Sequence, residues 1–184
     1  MPNVSLSQAQ LDSIISAINS RSKSNLFFEY VVTGSAVTSI NIPNLDIITH
    51  KDYRIELDLK NATATASTIK MYSNADVTPA NYASQTLYST GTAVPTSLAT
   101  ADAVIGVIDI SSRCLINSNL SLSVDGYFRW SSLCSRGTMT LPTLSQNSGL
   151  KKAIIANLTS LTITASVASS IAVGSVVRIF RGDQ

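Results

Sequence analysis

The chain has 184 residues, a net charge of +2 and 13% charged residues, against about 25% in an average soluble domain. This length predicts one domain with a sizeable core. The lysines and arginines are scattered, so we expect no nucleic-acid partner. No apolar run approaches the roughly 18 residues that a membrane span needs, and the first residues lack the features of a secretory signal, so we expect no membrane partner.

The first predicted element is an amphipathic helix over residues 5–20. Its apolar side chains recur three and four residues apart and form one stripe: Leu6, Leu11, Ile14, Ile15 and Ile18. An isolated helix of this length is marginal in water, so we expect the stripe to bind a partner, another copy or the rest of the chain. A polar linker follows, and the chain is predicted to divide into residues 1–25 and a domain over 26–184.

Beyond residue 25 the apolar period changes to two, which is typical of strands. The clearest case is DYRIELDLKN, in which Tyr53, Ile55, Leu57 and Leu59 alternate with charged residues. Other strands are predicted at 26–33, 37–42, 66–72, 83–88, 104–110, 120–130, 133–140, 151–157, 160–165 and 175–180. Turns are predicted between them, including 117–119 and 146–149. About ten short strands separated by turns indicate an all-β fold, an antiparallel sandwich or barrel.

The residues that usually carry chemistry are scarce. His50 is the sole histidine and has no cysteine partner at metal-ligand spacing, so no metal site is predicted. Phosphate-binding loops and nucleophile motifs are absent, so we expect no cofactor, no catalytic residues and no enzymatic activity. Cys114 and Cys134 are expected to be buried free thiols. Glu56 and Asp58 lie on one wet strand face and are predicted to be surface charges.

The segment DGYFRW concentrates aromatic residues. On a strand, Phe128 and Trp130 share one face, while Tyr127 lies on the other. Two interpretations stay open: Phe128 and Trp130 belong to the core, or Tyr127 or Trp130 exposes a ring as a platform for a glycan. The tripeptide Arg181-Gly182-Asp183 follows the last predicted strand and is interpreted as a chance occurrence, because an adhesion motif needs a held loop and chain ends fray.

Two segments, about a third of the chain, resemble small bacteriophage structural proteins. In the first, an alternating strand precedes a turn of the form N-x-D-x(4)-N-Y, made by Asn74, Asp76, Asn81 and Tyr82. In the second, SLTI is followed by a loop, Gly174-Ser175 and a last strand. The chain ends in RIFRG, where such proteins usually have R-x-x-L-Y-G. The resemblance implies a jelly-roll-like β-sandwich preceded by one short N-terminal helix.

The same resemblance implies a function. We expect a non-enzymatic virion protein, a capsid decoration, head-fibre or tail accessory protein that forms a homotrimer and docks on capsid or tail proteins of the particle. One alternative is a carbohydrate- or receptor-binding module that recognises a surface glycan. A second alternative is a shell-forming capsid protein. It is disfavoured because a genome-facing arm is normally basic, and residues 1–25 carry only Arg21 and Lys23.

Overall fold

The structure is a computed structural model that describes residues 25–90, 96–137 and 142–182. The predicted helix over residues 5–20, its apolar stripe and Asp183 lie outside the described residues. The described elements are β1 (Leu26–Val31), β2 (Ser39–Ile42), a short helix α1 (Ile47–His50), β3 (Asp52–Lys60), β4 (Ser67–Ser73), a 3₁₀ turn (Pro79–Asn81), β5 (Tyr82–Thr90), β6 (Thr96–Thr100), β7 (Val104–Ile108), β8 (Arg113–Leu122), β9 (Tyr127–Gly137), β10 (Pro142–Ile154), β11 (Leu161–Ala165) and β12 (Val176–Arg181).

The strands form two antiparallel sheets. The large sheet has the order β1-β12-β3-β8-β9-β10-β5-β6, and the small sheet has the order β2-β11-β4-β7. Every strand pair in both sheets is antiparallel. The predicted all-β, antiparallel class is therefore confirmed.

Alternating side chains place the core between the two sheets. In β3 the four predicted apolar residues are each at most 1% exposed, and Ile69 and Met71 of β4 belong to the same buried cluster. Burying one such side chain stabilises the fold by about 1.5–3 kcal/mol. The charged residues of β3 face solvent and pair across strands, as Asp58 does with Arg113 at 3.0 Å. The surface-charge interpretation of Glu56 and Asp58 fits this placement.

The structure corrects several strand boundaries. The turns predicted at 117–119 and 146–149 were wrong, because these residues lie in the middle of β8 and β10. The strand predicted over 120–130 was also wrong, since β8 ends at Leu122 and β9 begins at Tyr127 after a turn. β6 was not predicted. Asparagine, serine and glutamine suggested turns at these positions, but here they occupy strands whose partners on both sides satisfy the backbone.

The two sheets differ in width, and this shapes the surface. β7 is an edge strand of the small sheet and packs against β8, β9 and β10. β5 and β6 lie further out on the large sheet, so their inner faces extend past the edge of β7. This overhang leaves part of the inner face without a covering sheet.

Candidate functional site

Histidine, cysteine and carboxylate side chains are spread over residues 25–90, 96–137 and 142–182. Within these ranges no three His, Cys, Asp or Glu side chains are grouped so that they could hold a metal ion. His50 ends α1 and lies edge-on to the Tyr53 ring, 5.8 Å between centroids. No helix within the same ranges is long and apolar enough to cross a membrane.

Trp130 lies in the core and offers no face to a ligand. The residue is 3% exposed, and its indole N–H donates to the carbonyl of Val104 at 3.2 Å. Its ring packs between those of Tyr82 and Phe128. Of the two interpretations, the core one therefore holds for Phe128 and Trp130, and a stacking platform on Trp130 is ruled out by burial. Tyr127 is half-buried at the start of β9, and its side chain projects from the opposite face.

The turn motif that carries the resemblance holds the fold together. The carboxylate of Asp76 binds the ammonium of Lys151 at 2.8 Å and accepts from the Asn81 amide at 3.0 Å. The Tyr82 hydroxyl donates to the carbonyl of Asp76 at 2.7 Å. The hydrogen bond from Lys151 is the main reason why the pKa of Asp76 falls to about 2. Because these groups satisfy one another, the motif forms a structural clip.

Asn74 completes the clip from the other side. Its amide donates to the carbonyl of Asn157 at 2.7 Å and its side-chain oxygen accepts from the backbone N–H of Thr159 at 2.8 Å. Its φ of 52° lies in the left-handed region that asparagine tolerates better than most residues. One side chain therefore joins the end of β4 to the segment that leads into β11.

The outer face of β8, β9, β10 and β5 has an unusual composition. Its central rows carry no charge, and we call them the leucine face: Gln85, Leu87, Leu115, Asn117, Asn119, Ser131, Leu133, Ser135, Leu144, Gln146 and Ser148. All of them are exposed, and the four leucines are between 46% and 55% exposed. The neighbouring outer face of β3 carries only charged residues, from Asp52 to Lys60. Along the central rows, charged side chains therefore stop at the β3–β8 boundary, while Arg113 of β8 and Arg129 of β9 lie at the ends of the face.

A second feature is a cleft of about 500 Å³ where the overhang of β5 and β6 faces the small sheet. Tyr88 and Leu98 stand on the overhang and are 38% and 59% exposed. Val104 and Val107 of β7 lie on the floor. Thr68 and Lys70 of β4 line the opposite wall. This volume lies within the range of small-molecule sites, about 300–1,000 Å³.

Two ion pairs border the cleft. The ammonium of Lys70 lies 2.7 Å from Asp102, whose other oxygen accepts from the Tyr72 hydroxyl at 2.7 Å. Burial opposes the ionisation of Asp102, but the hydrogen bonds from Lys70, Tyr72 and the backbone of Ala103, together with the charge of Lys70, outweigh it and hold the pKa of Asp102 below its usual value. On the other side, the guanidinium of Arg136 pairs with Asp109. Asp102 and Asp109 thus each neutralise a cation.

A third feature is an apolar patch at the end of the sandwich formed by Ile48, Val124 and Ile154, which are 50%, 106% and 65% exposed. The chain emerges from residues 1–24 on the same end. The carbonyl of Asn25 accepts a hydrogen bond from the backbone N–H of Arg181. Arg181 pairs with Tyr53 in the sheet, and Tyr53 is two residues from Lys51, which lines the patch. The Arg181 guanidinium lies 4.6 Å over the Phe27 ring, so it is engaged within the fold.

Comparison of the chain with protein-family models, with curated proteins and with solved structures finds no match. The leucine face and the cleft were both missed in the sequence. The available signal lay in the segments NSNLSLS and TLSQNS, where exposed amide and hydroxyl residues alternate with buried ones. These residue types are common in turns, but here they mark the exposed faces of strands. Tyr88 carried no distinctive signal, because its exposure depends on where β7 ends.

Proposed function

We propose that this protein is a non-enzymatic, self-associating structural protein of a bacteriophage particle, a capsid decoration, head-fibre or tail accessory protein. The observation that carries the proposal is the uncharged leucine face. The centres of protein interfaces are depleted of charge relative to the rest of the protein surface. The leucine face shows this depletion: its four leucines are exposed among amide and hydroxyl residues, and the charged β3 lies at its border.

The chemistry of the leucine face favours a second copy of the same chain as its partner. Amide and hydroxyl side chains both donate and accept hydrogen bonds, so residues such as Asn117, Asn119 and Gln146 can pair with other amide and hydroxyl residues on a second copy. Four strands and three outward-facing residues along β9 give a face of about 19 Å by 20 Å. That is the scale of an interface centre, and Arg113 and Arg129 lie at its ends as a polar rim.

The strand order supports a jelly-roll topology as part of this proposal. If the meander β8–β10 is counted as one strand, the chain from β2 to β11 makes eight strands. The small sheet receives β2, β4, β7 and β11, and the large sheet receives β3, β5, β6 and the meander, so that the chain alternates between the sheets except at the β5–β6 hairpin. A jelly roll has eight strands in two sheets that alternate in this way. The chain would then be a jelly roll in which one strand has become three, with β1 and β12 added at an edge.

The placement in a virion and the homotrimeric state rest on the resemblance stated above. Attachment to capsid or tail proteins is assigned to the apolar stripe of residues 5–20, because the chain leaves the sandwich on the side of the exposed patch of Ile48, Val124 and Ile154. In this proposal, burial of apolar area at the leucine face and at the apolar stripe stabilises the particle, and no catalysis is involved.

The test is the mass of the purified protein in solution by light scattering, for the full chain, for residues 25–184 and for Leu133→Lys. We expect an oligomer in the first two, because every strand of the leucine face is retained. We expect monomers for Leu133→Lys, because it places a charge at the centre of the face. Val173→Lys is the matched control, since Val173 is 48% exposed against 47% for Leu133 but lies in the β11–β12 loop.

A monomeric full chain, or a Leu133→Lys protein that keeps its mass, would overturn the self-association proposal. An oligomer that is lost only in residues 25–184 would transfer the role from the leucine face to the N-terminal segment.

The carbohydrate-binding alternative is favoured by one separate observation, the cleft beside β7. The shell-forming alternative gains no support from the described residues.

A further inference from the structure

We infer that the cleft between the β5–β6 overhang and the small sheet is a binding site for a neutral saccharide. This inference is independent of self-association, because the cleft faces the inner side of the overhang and the leucine face lies on its outer side. Register places Leu98 opposite Thr86, on the inner side, whereas Leu87 points outward. The two surfaces can therefore be tested separately.

The walls of the cleft suit a ligand with one apolar and one polar face. Tyr88 and Leu98 give an exposed apolar wall on the overhang, and Val104 and Val107 continue it along the floor. A sugar ring presents C–H groups on its faces and hydroxyls around its rim, and aromatic side chains combine an apolar body with a polar tip. The apolar wall would take the ring face, and the hydroxyls would point to the polar wall.

The polar wall is built from charges that are already neutralised. Lys70 is bound to Asp102 and Arg136 is bound to Asp109. An anionic or cationic ligand would have to compete with these ion pairs, whereas a hydroxyl group can use the N–H groups that remain. The Lys70 ammonium has three N–H donors and the Arg136 guanidinium has five. Each uses only one or two of them to bind its carboxylate, so further donors remain for the hydroxyls of a ligand. The balance of charge therefore selects a neutral ligand.

The donors of Arg136 support the assignment. The side chain is 18% exposed, and among the described residues its Nε finds no hydrogen-bond partner. Buried donors without partners are uncommon in folded proteins and call for an explanation. Arg136 lines the cleft, so the donors that remain on its guanidinium lie beside the position of the ligand.

The experiment is a titration of the ¹⁵N-labelled full chain, followed by NMR, with the methyl glycosides of glucose, galactose, mannose and N-acetylglucosamine. Concentrations reach about 10 mM, since ligands of this size bind weakly. We expect at least one probe to shift the amide signals of β5, β6 and β7. Glucuronic acid is the charged comparison and is expected to bind more weakly than the neutral probe.

Two variants locate the binding. Tyr88→Ala should weaken the affinity about tenfold or more, since truncation of a central aromatic residue has effects of this size. Thr68→Trp should abolish binding by filling the cleft. If Tyr88→Ala does not fold, Thr68→Trp alone tests whether the saccharide binds in the cleft. Tyr30→Ala is the matched control, because Tyr30 is 39% exposed against 38% for Tyr88 but lies on β1 at the far edge of the large sheet.

Three results would overturn the inference: no probe shifts the signals of the cleft, glucuronic acid binds as tightly as the neutral probes, or folded Thr68→Trp binds like the unmodified chain. None of these results bears on the mass measured by light scattering. A failure here therefore leaves the proposed self-association standing, and a monomeric protein leaves the saccharide site standing.

Discussion

At the scale of single residues, the clearest example is the ion pair between the buried Lys151 and the partly buried Asp76. Lys151 is 6% exposed, and its ammonium also lies 5.6 Å from the centre of the Tyr82 ring. A buried cation that loses its partner keeps the cost of its desolvation. The motif N-x-D-x(4)-N-Y could be read from the sequence, but Lys151 stands far along the chain and nothing local marks it as the partner.

We expect Asp76→Ala to lower the free energy of unfolding by about 3 kcal/mol, because it leaves Lys151 buried and unpaired. The comparison is Asp58→Ala, which breaks the exposed pair with Arg113 and should cost about 0.5 kcal/mol. Urea unfolding at a fixed protein concentration measures both. Equal losses in the two variants would show that the clip is no stronger than a surface pair.

The same pair predicts a dependence on pH. The pKa of Asp76 is about 2 in the folded chain, while an unfolded aspartate titrates near pH 4. A depressed pKa means that the ionised Asp76 stabilises the fold above about pH 4, and this contribution disappears as the pH falls toward 2. In Asp76→Asn this part of the acid-induced loss of stability should be missing. The measurement is the urea midpoint of both proteins between pH 5 and about 2, and a midpoint that falls equally in the variant and in the unmodified chain would contradict the assignment.

At the scale of elements, β8 and β10 show why composition misled the prediction. Asn117 and Asn119 in β8, and Gln146 and Ser148 in β10, are residue types common in turns, yet they are the exposed members of long alternating strands. Their buried neighbours are themselves partly polar, as with Ser118 and Ser132, whose hydroxyls bond at 2.6 Å. The hydrophobic alternation that marks β3 is therefore weaker in these strands.

The connection between β4 and β11 depends on Asn74. We expect Asn74→Ala to lower the free energy of unfolding by about 3 kcal/mol, because it loses hydrogen bonds to both sides of the turn and places alanine at a φ of 52°. Asn74→Gly should cost about 1 kcal/mol less, since glycine accepts this backbone conformation. Two equal losses would show that backbone strain plays no part.

Hydrogen exchange provides a local measurement for the same variants. The backbone N–H of Thr159 donates to Asn74 at 2.8 Å, and that of Ser160 donates to the same oxygen at 3.3 Å. Both amides should exchange faster in Asn74→Ala and Asn74→Gly, while amides in the centre of β3 should follow only the global change in stability.

At the scale of the whole molecule, the two cysteines report on global opening. Cys114 and Cys134 are free and at most 1% exposed, which agrees with the expectation of buried thiols. The hydrogen bond between the two thiols and their burial raise the pKa of Cys114. They lie between the sheets, where a reagent reaches them only after the sandwich separates.

We expect both thiols to react with a thiol reagent only through global unfolding. The labelling rate should rise with urea with the same slope as the unfolding equilibrium. Val173→Cys supplies an exposed thiol in a loop and should react at once, without a dependence on urea. A labelling rate of Cys114 or Cys134 that does not change with urea would indicate a local opening of the β8–β9 pair.

The sequence by itself determined the all-β class, the position of most strands, the apolar face of β3 and the burial of both cysteines. These features follow from local patterns, because the side-chain period of a strand is a property of consecutive residues. The same patterns predict a division between residues 1–25 and the domain that follows, and residues 1–24 lie outside the described residues.

Only the tertiary structure decided where the candidate sites lie. The leucine face exists because hydrogen bonding sets β8, β9, β10 and β5 side by side in one register, although β5 is distant from the others in the chain. The cleft exists because eight strands face four, so that β5 and β6 extend past β7. Strand order and sheet width are long-range pairing properties, and no local segment of the chain contains them.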